Sequence, residues 1–561
     1  MGAVILKNRI HLNQLGYYTD GFKTACYVGK GSSKFSIIDA DGKEVYKGLL
    51  TDGKEDVASQ DFVFTADFSD FCDEGEYTLK VGSLKSYPFK ISPATYSDFF
   101  SDSLKTFYFS RCGYDLRSQF AGEYKRKKCH TEKAALISDP SVFIDVRGGW
   151  HDAGDFGRYT VTASSALAHL LYAYELFPDC FNEKINIPES RFDVPDILSE
   201  CRFELEWLLK MQDKDGGVFH KVSSKNYPEN IMPSEDSQPL FIYDKTTAST
   251  ADFSAVTALA SRIYEKFDKI FSQTLKVSSV NAWAWILNNP SVKPYENIDR
   301  LLNVEYSDRK LNDDIFWAAC ELYTLTGNEA FHEKISELFY KVDTTGMSWL
   351  NVGGFGALSY IRSSFTTDQM ILDSLKSSFI FRADNIASMI KHSGYKTAMG
   401  GNRYLWGSNV KVLTYAIILI IADSISHNKD YIFTAQEQLN YILGKNPIGK
   451  CYVTGFGSNP VLRPHHRPSA ADDVEMPIPG MLVGGADMLR SDDYSRWLIP
   501  KGTPPSKCYI DEEHSYCSNE TTIFFNSPMV LVLAFFKNLY EEDIKNERDK
   551  SIDFVTCESG D

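Results

Sequence analysis

A cationic surface is what the chain most plainly lacks. Its 59 lysines and arginines stand against 75 aspartates and glutamates, a formal net charge of −16. Nucleic acid needs a basic face to neutralise phosphate, so this balance argues against such a partner. No apolar run is long enough to cross a bilayer. The longest, Val412 to Ala422 (VLTYAIILIIA), predicts a buried helix, so no membrane partner is expected. The opening residues, MGAVILKNRIHLNQLGYY, carry no hydrophobic signal core. The expectation is a cytoplasmic protein, with a mature secreted form as the alternative. Eleven scattered cysteines are an odd number and do not make a disulfide framework, which fits a reducing compartment. There is no H-E-x-x-H, the mark of one open catalytic zinc site, no EF-hand spacing, and no carbohydrate-binding or dockerin-like repeat.

What is present is a large stock of rings: 37 Phe, 31 Tyr and 8 Trp within a chain that is 43% hydrophobic. That composition belongs to a folded globular protein, and rings that do not fill the core can stack on flat apolar ligands. At 561 residues the chain is long enough for two to four domains. Up to about residue 95, short runs alternate apolar and polar positions, as in TACYVG, KFSIIDADGKEVYKG and GEYTLKVG, with Ala40-Asp41-Gly42 placed as a hairpin turn. This predicts a small β-sandwich over 1–95. From Tyr96 the period becomes helical, in segments such as TASSALAHLLYAYELF and DILSECRFELEWLLKMQ, predicting a helical domain over 96–545. Residues 546–561 read as a polar tail. Long loops are expected at 212–248, 345–364 and 445–515, where function concentrates.

Three loop stretches carry the chemistry. GGWHDAGDFGRY places Asp152 and Asp155 three apart in a glycine-rich turn. A surface turn or a helix cap is the bland explanation for such a pair. YIDEEHSYCSNETTIFFNSP brings Asp511, Tyr516 and Glu520 to the start of an apolar helix, and GFGSNPVLRPHHRPS sets His465 and Arg467 between prolines. Three polar loops on a helical scaffold suit hydrolysis between carboxylates. Cys112, Cys129, His130 and His151 are a fourth group; two thiols and two imidazoles are a closed tetrahedral set for structural zinc, although the gap from Cys112 to Cys129 is long for a compact finger.

These motifs resemble glycoside hydrolase family 9, whose members cleave β-1,4-glucosidic bonds, in the form with an N-terminal immunoglobulin-like domain. Tyr509, Asp511, Tyr516, Glu520, Thr522, Asn526 and Ser527 match one family signature. Gly457, Asn459, Pro464, His465 and Arg467 match another, with Cys451 departing from its usual first residue, and Asp152-Ala153-Gly154-Asp155 matches the family's D-A-G-D turn. The resemblance implies a mainly α protein, an (α/α)6 barrel preceded by an immunoglobulin-like β-sandwich. It implies that Asp155 is the general base, that Asp152 helps hold the attacking water, and that Glu520 is the general acid, with a raised pKa while Asp155 stays ionised. Asp511 would fix the sugar or the acid in place. His465 and Arg467 would bind sugar hydroxyls, and Tyr516, Trp406, Tyr404 and Trp317 are candidate sugar-binding aromatics, though a ring near a helix end is core at least as often. Zinc on the four-residue set is implied, calcium is allowed without named ligands, and no organic cofactor is expected. The expected substrate is a β-1,4-linked oligo- or polysaccharide, cut by an inverting endoglucanase or cellodextrinase acting as a monomer. The alternatives are an exo-β-glucosaminidase acting on chitosan oligosaccharides and a non-catalytic carbohydrate-binding protein of the same fold.

Overall fold

A computed structural model describes residues 9–29, 32–290, 294–297, 304–365 and 368–556, apart from the side chains of residues 52 and 541–556. The first eight strands are β1 (Ile10–His11), β2 (Thr24–Val28), β3 (Lys34–Asp39), β4 (Glu44–Asp56), β5 (Asp61–Asp67), β6 (Gly75–Val81), β7 (Leu84–Lys85) and β8 (Phe89–Ile91). They pair in the order β1-β2-β5-β4-β3-β6-β7, with β8 also on β6. The first half of β4 pairs with β3 and its second half with β5, so one long strand passes from one face of the sandwich to the other. Alternation does the rest: Tyr77, Leu79 and Val81 on β6 point into a core shared with Ile37, Phe68 and Phe89.

Twelve helices of ten or more residues follow among the described residues. They are α1 (Ser97–Ser110), α2 (Thr160–Leu176), α3 (Asp196–Met211), α4 (Thr247–Tyr264), α5 (Lys269–Asn288) and α6 (Asn312–Thr326), then α7 (Glu329–Leu338), α8 (Gly353–Arg362), α9 (Gln369–Ile390), α10 (Ser408–Ser426), α11 (Lys429–Ile442) and α12 (Ile523–Thr556). Their packing runs in a closed cycle, α12 on α2, α2 on α4, α4 on α6, α6 on α8, α8 through α9 to α10, and α10 on α12. The helices α2, α4 and α10 are buried along most of their length, with small polar residues among the apolar ones in α2 and α4. Ser408–Ser426 and Ile523–Tyr540 have the length and hydropathy of membrane spans, yet both are mostly buried inside the protein.

One expectation is corrected. The stretch 345–364 is not a continuous loop, since α8 occupies much of it. Its glycines, which read as loop residues, permit close packing: a Cβ on Gly356 would lie 2.9 Å from the Trp317 Cα. In the stretch 546–561, read as a polar tail, the backbone is helical as far as Thr556, and 557–561 lie outside the described residues.

A small second sheet frames the cleft: β9 (Ala134–Leu136), β10 (Asp139–Ile144), β11 (Arg158–Tyr159), β12 (Lys221–Ser223) and β13 (Phe241–Ile242), in the order β10-β9-β13-β12-β11.

Candidate active site

Backbone bridges join the three polar loops. Ala153 pairs with Thr522 and His465 with Glu520. The Ile523 N–H donates to the Asp152 carbonyl at 2.8 Å, and the His465 N–H to the Asn519 carbonyl at 2.8 Å. This ladder explains the small residue within D-A-G-D. A Cβ on Gly154 would lie 2.5 Å from the His465 carbonyl oxygen and 2.9 Å from the His466 Cα, so the turn can approach the 465–466 backbone only as glycine.

The ladder brings Asp152, Asp155 and Glu520 into one cleft. Asp152 is fully buried; Thr162 donates to its Oδ1, and the Tyr306 hydroxyl to its Oδ2 at 2.9 Å. Burial first, and then Asp155, push its pKa up to about 7. Asp155 accepts the Tyr159 hydroxyl on Oδ2 at 3.1 Å, while its Oδ1 has no protein partner. Its pKa is raised as well, by burial, against the opposing pull of Arg467 and Tyr159. Desolvation there outweighs its cationic neighbours. Glu520 accepts the Trp406 indole N–H on Oε2 at 3.1 Å, and burial followed by the charges of Asp155 and Asp152 lifts its pKa well above the ordinary value.

Around these acids, Arg467 donates through Nε to the Pro228 carbonyl at 2.8 Å and lies over the Tyr227 ring. His465 is bonded through Nδ1 to the Glu513 carbonyl, and burial lowers its pKa to about 4, so the imidazole is neutral. His466 caps the short helix Arg467–Ala471 by accepting from the Ser469 N–H. The Tyr516 ring packs 5.3 Å from Trp406, which is half exposed. Asp511 is engaged entirely with the scaffold: Lys450 at 2.7 Å, the N–H groups of Leu462 and Arg463 at 2.9 Å each, and Asn519 Nδ2 at 3.1 Å. Against the upward pull of burial, Lys450 and these donors hold its pKa below the ordinary range. It fastens the 460–463 loop to the residue preceding Glu520.

Two aromatic candidates are corrected. Trp317 is fully buried in α6, its indole donating to Glu321 at 3.1 Å and its ring against Phe355. Tyr404 is also in the core, where its carbonyl accepts the Met488 N–H at 2.8 Å. In both cases enclosure by surrounding residues removes the open ring face that a sugar would need. Conversely, Tyr159, Tyr306 and Lys221 were not legible as site residues. Tyr159 stands four after Asp155 and could have been found by its spacing, whereas Tyr306 arrives from a distant loop with no local signal. Lys221, on the strand paired with β11, has its pKa lowered to about 7 by burial, partly offset by Asp155.

Beside the cleft, the donor atoms of Cys112, Cys129, His130 and His151 all lie within 4.8 Å of one another, and all four residues are buried. His130 Nδ1 has no partner, and Nε2 sits 3.4 Å from Asp236 Oδ2. A free imidazole nitrogen facing two thiols, with a carboxylate behind the other nitrogen, is a donor set that fits a tetrahedral metal ion. Among the described residues no other group of three or more His, Cys, Asp and Glu donors is gathered this closely.

A β-sandwich ahead of a helical domain whose cleft collects two buried aspartates and a part-buried glutamate defines a two-domain hydrolase of the carboxylate type. The chain belongs to glycosyl hydrolase family 9: that family's model matches residues 96–533, and the cellulase N-terminal ig-like domain matches 6–86. It is 35% identical over 545 residues to a cellodextrinase of Butyrivibrio fibrisolvens, covering 94% of this chain and 99% of the relative. A structure of AaCel9A in complex with cellobiose-like isofagomine superposes with a TM-score of 0.89 at 33% identity, covering 94% of this chain and all of the other. A zinc-binding triple mutant of the family 9 endoglucanase J30 gives 0.88 at 30% identity, with 93% and 99% covered.

Proposed function

We propose that the protein hydrolyses β-1,4-glucosidic bonds of cello-oligosaccharides and soluble β-glucan by single displacement with inversion. The observation that carries this reading is the pairing of Asp155, with an unpartnered carboxylate oxygen, and Glu520, with a strongly raised pKa, in one cleft. Water held between Asp152 and Asp155 attacks the anomeric carbon, and Asp155 takes its proton. Glu520 gives its proton to the glycosidic oxygen as the carbon–oxygen bond breaks, and the released sugar leaves as an alcohol. Inversion needs an acid–base separation of about 6.5–9.5 Å, which leaves room for that water. Tyr159 and Tyr306 orient the two aspartates. Trp406 and Tyr516 provide apolar faces beside the acid, and Arg467 and His465 offer polar groups to hydroxyls. Similarity to a cellodextrinase and to a protein that binds a cellobiose-like inhibitor supports the substrate class.

The closed cycle of helices, with the even-numbered ones inside, supports an (α/α)6 barrel. The four-residue donor set supports structural zinc, as does similarity to a zinc-binding variant of a family member. Cys112, Cys129, His130 and His151 would hold the ion with all four positions filled by protein, and would thereby pin the loop that leads from His151 into Asp152.

The test is incubation with cellotetraose and cellopentaose, following products by NMR. New α-anomers support the proposal. β-Anomers overturn the roles of Asp155 and Glu520, and release of glucosamine only, from chitosan oligomers, overturns the substrate.

A further inference from the structure

The short helix Asp493–Leu498 carries two rings for which the catalytic steps have no use. Trp497 is 80% exposed and Tyr494 36%. Their ring centroids are 6.4 Å apart, and Tyr494 lies nearly parallel to the His514 imidazole at 4.7 Å. Asp493 and Arg496 form an ion pair on the same helix. Flat apolar faces edged by planar polar groups suit a pyranose, whose C–H faces stack while its hydroxyls hydrogen-bond.

This surface is tied to the acid. Asp492 caps the helix by accepting the Ser495 N–H on Oδ1 at 2.6 Å, while its Oδ2 accepts the Ser515 hydroxyl and the Cys517 N–H at 2.9 Å each. Tyr516 donates to the Ser491 carbonyl at 3.3 Å. One carboxylate thus holds both the aromatic helix and the turn Tyr516–Asn519, whose next residue is Glu520. On the cleft side of that brace lie Trp406 and Tyr516, with Trp406 bonded to Glu520. A general acid protonates the leaving oxygen, so sugars beside Glu520 belong to the leaving part of the chain, and the aromatic helix extends from the same turn.

We propose that Tyr494, Trp497 and His514 form an outer subsite that holds the leaving end of longer β-1,4-glucan chains. The proposal rests on the functional reading above. Binding energy gained that far from the scissile bond favours the transition state only for substrates long enough to reach it.

The experiment compares kcat/KM for cellotriose through cellohexaose in wild type, Trp497→Ala and Trp497→Phe, with thermal melts to confirm folding. The expected result is a loss for Trp497→Ala that grows with chain length to about tenfold, the size of one aromatic contact, and a smaller loss for Trp497→Phe. A loss equal at every length, or none, overturns the subsite while leaving the activity standing. Failure of wild type to cleave any of the series overturns the functional reading and the subsite with it.

Discussion

The Tyr306 hydroxyl donates to Asp152 Oδ2 at 2.9 Å, linking residues 154 positions apart in the chain. On the other oxygen of Asp152, Thr162 supplies a second donor, so the carboxylate is oriented from two sides inside a buried pocket.

Replacing Tyr306 with Phe removes one of those donors and little else. One hydrogen bond to a charged group is worth about 1.5–3 kcal/mol. Steady-state kinetics on cellotetraose should therefore show kcat reduced by roughly 10- to 100-fold with a small change in KM. A change confined to KM would place Tyr306 in sugar binding instead.

Gly154→Ala is expected to disable the enzyme without unfolding it. The added Cβ meets backbone atoms of His465 and His466, which cannot swing aside, so the turn must shift and carry Asp152 and Asp155 with it. Misplacement by about 1 Å costs about 100-fold in rate. Circular dichroism close to wild type with kcat down by about that factor is the outcome to look for.

The pH profile should be bell-shaped and displaced upward. Protonation of Asp155, whose pKa is raised, sets the acid limb, and ionisation of Glu520, raised well above the glutamate value of 4.5, sets the alkaline limb. Because the folded protein holds the Glu520 proton more tightly than the unfolded chain does, stability is lost as pH climbs from about 4.5 through the folded pKa. Glu520→Gln escapes that loss. Its Tm should match wild type in acid and exceed it increasingly toward neutral and alkaline pH, while kcat drops by about 10²–10⁴-fold.

Metal analysis should find one zinc per chain in wild type. Cys129→Ser should lower that content and reduce Tm by at least about 5 °C, since a lost metal site is among the larger single-residue effects. Activity should fall along with it, because His151 and Asp152 are adjacent. Full activity and Tm without metal would remove zinc from the account.

The primary structure by itself determined the division into a β-sandwich and a helical domain, because periods of two and of 3.6 residues are local properties. It also exposed Asp152, Asp155 and Glu520, which sit in motifs whose spacing can be read directly. Helices such as Lys269–Asn288 and Gln369–Ile390 carry a weaker local signal, because their buried faces are narrow and their exposed faces mix polar residues with open apolar ones such as Ile270 and Phe381. Only the tertiary structure decided what each ring and each acid is for. Trp317 and Trp406 are the same residue type, yet neighbouring helices close over one while the other opens onto Glu520. Nothing in the local sequence separates them. Likewise Asp511 and Asp155 are both loop aspartates: four scaffold donors occupy the first, while the second keeps an oxygen without a protein partner in a buried pocket. Burial and partnership arise when distant segments meet, and it is desolvation at those meetings that raises a carboxyl's pKa and fits it for proton transfer.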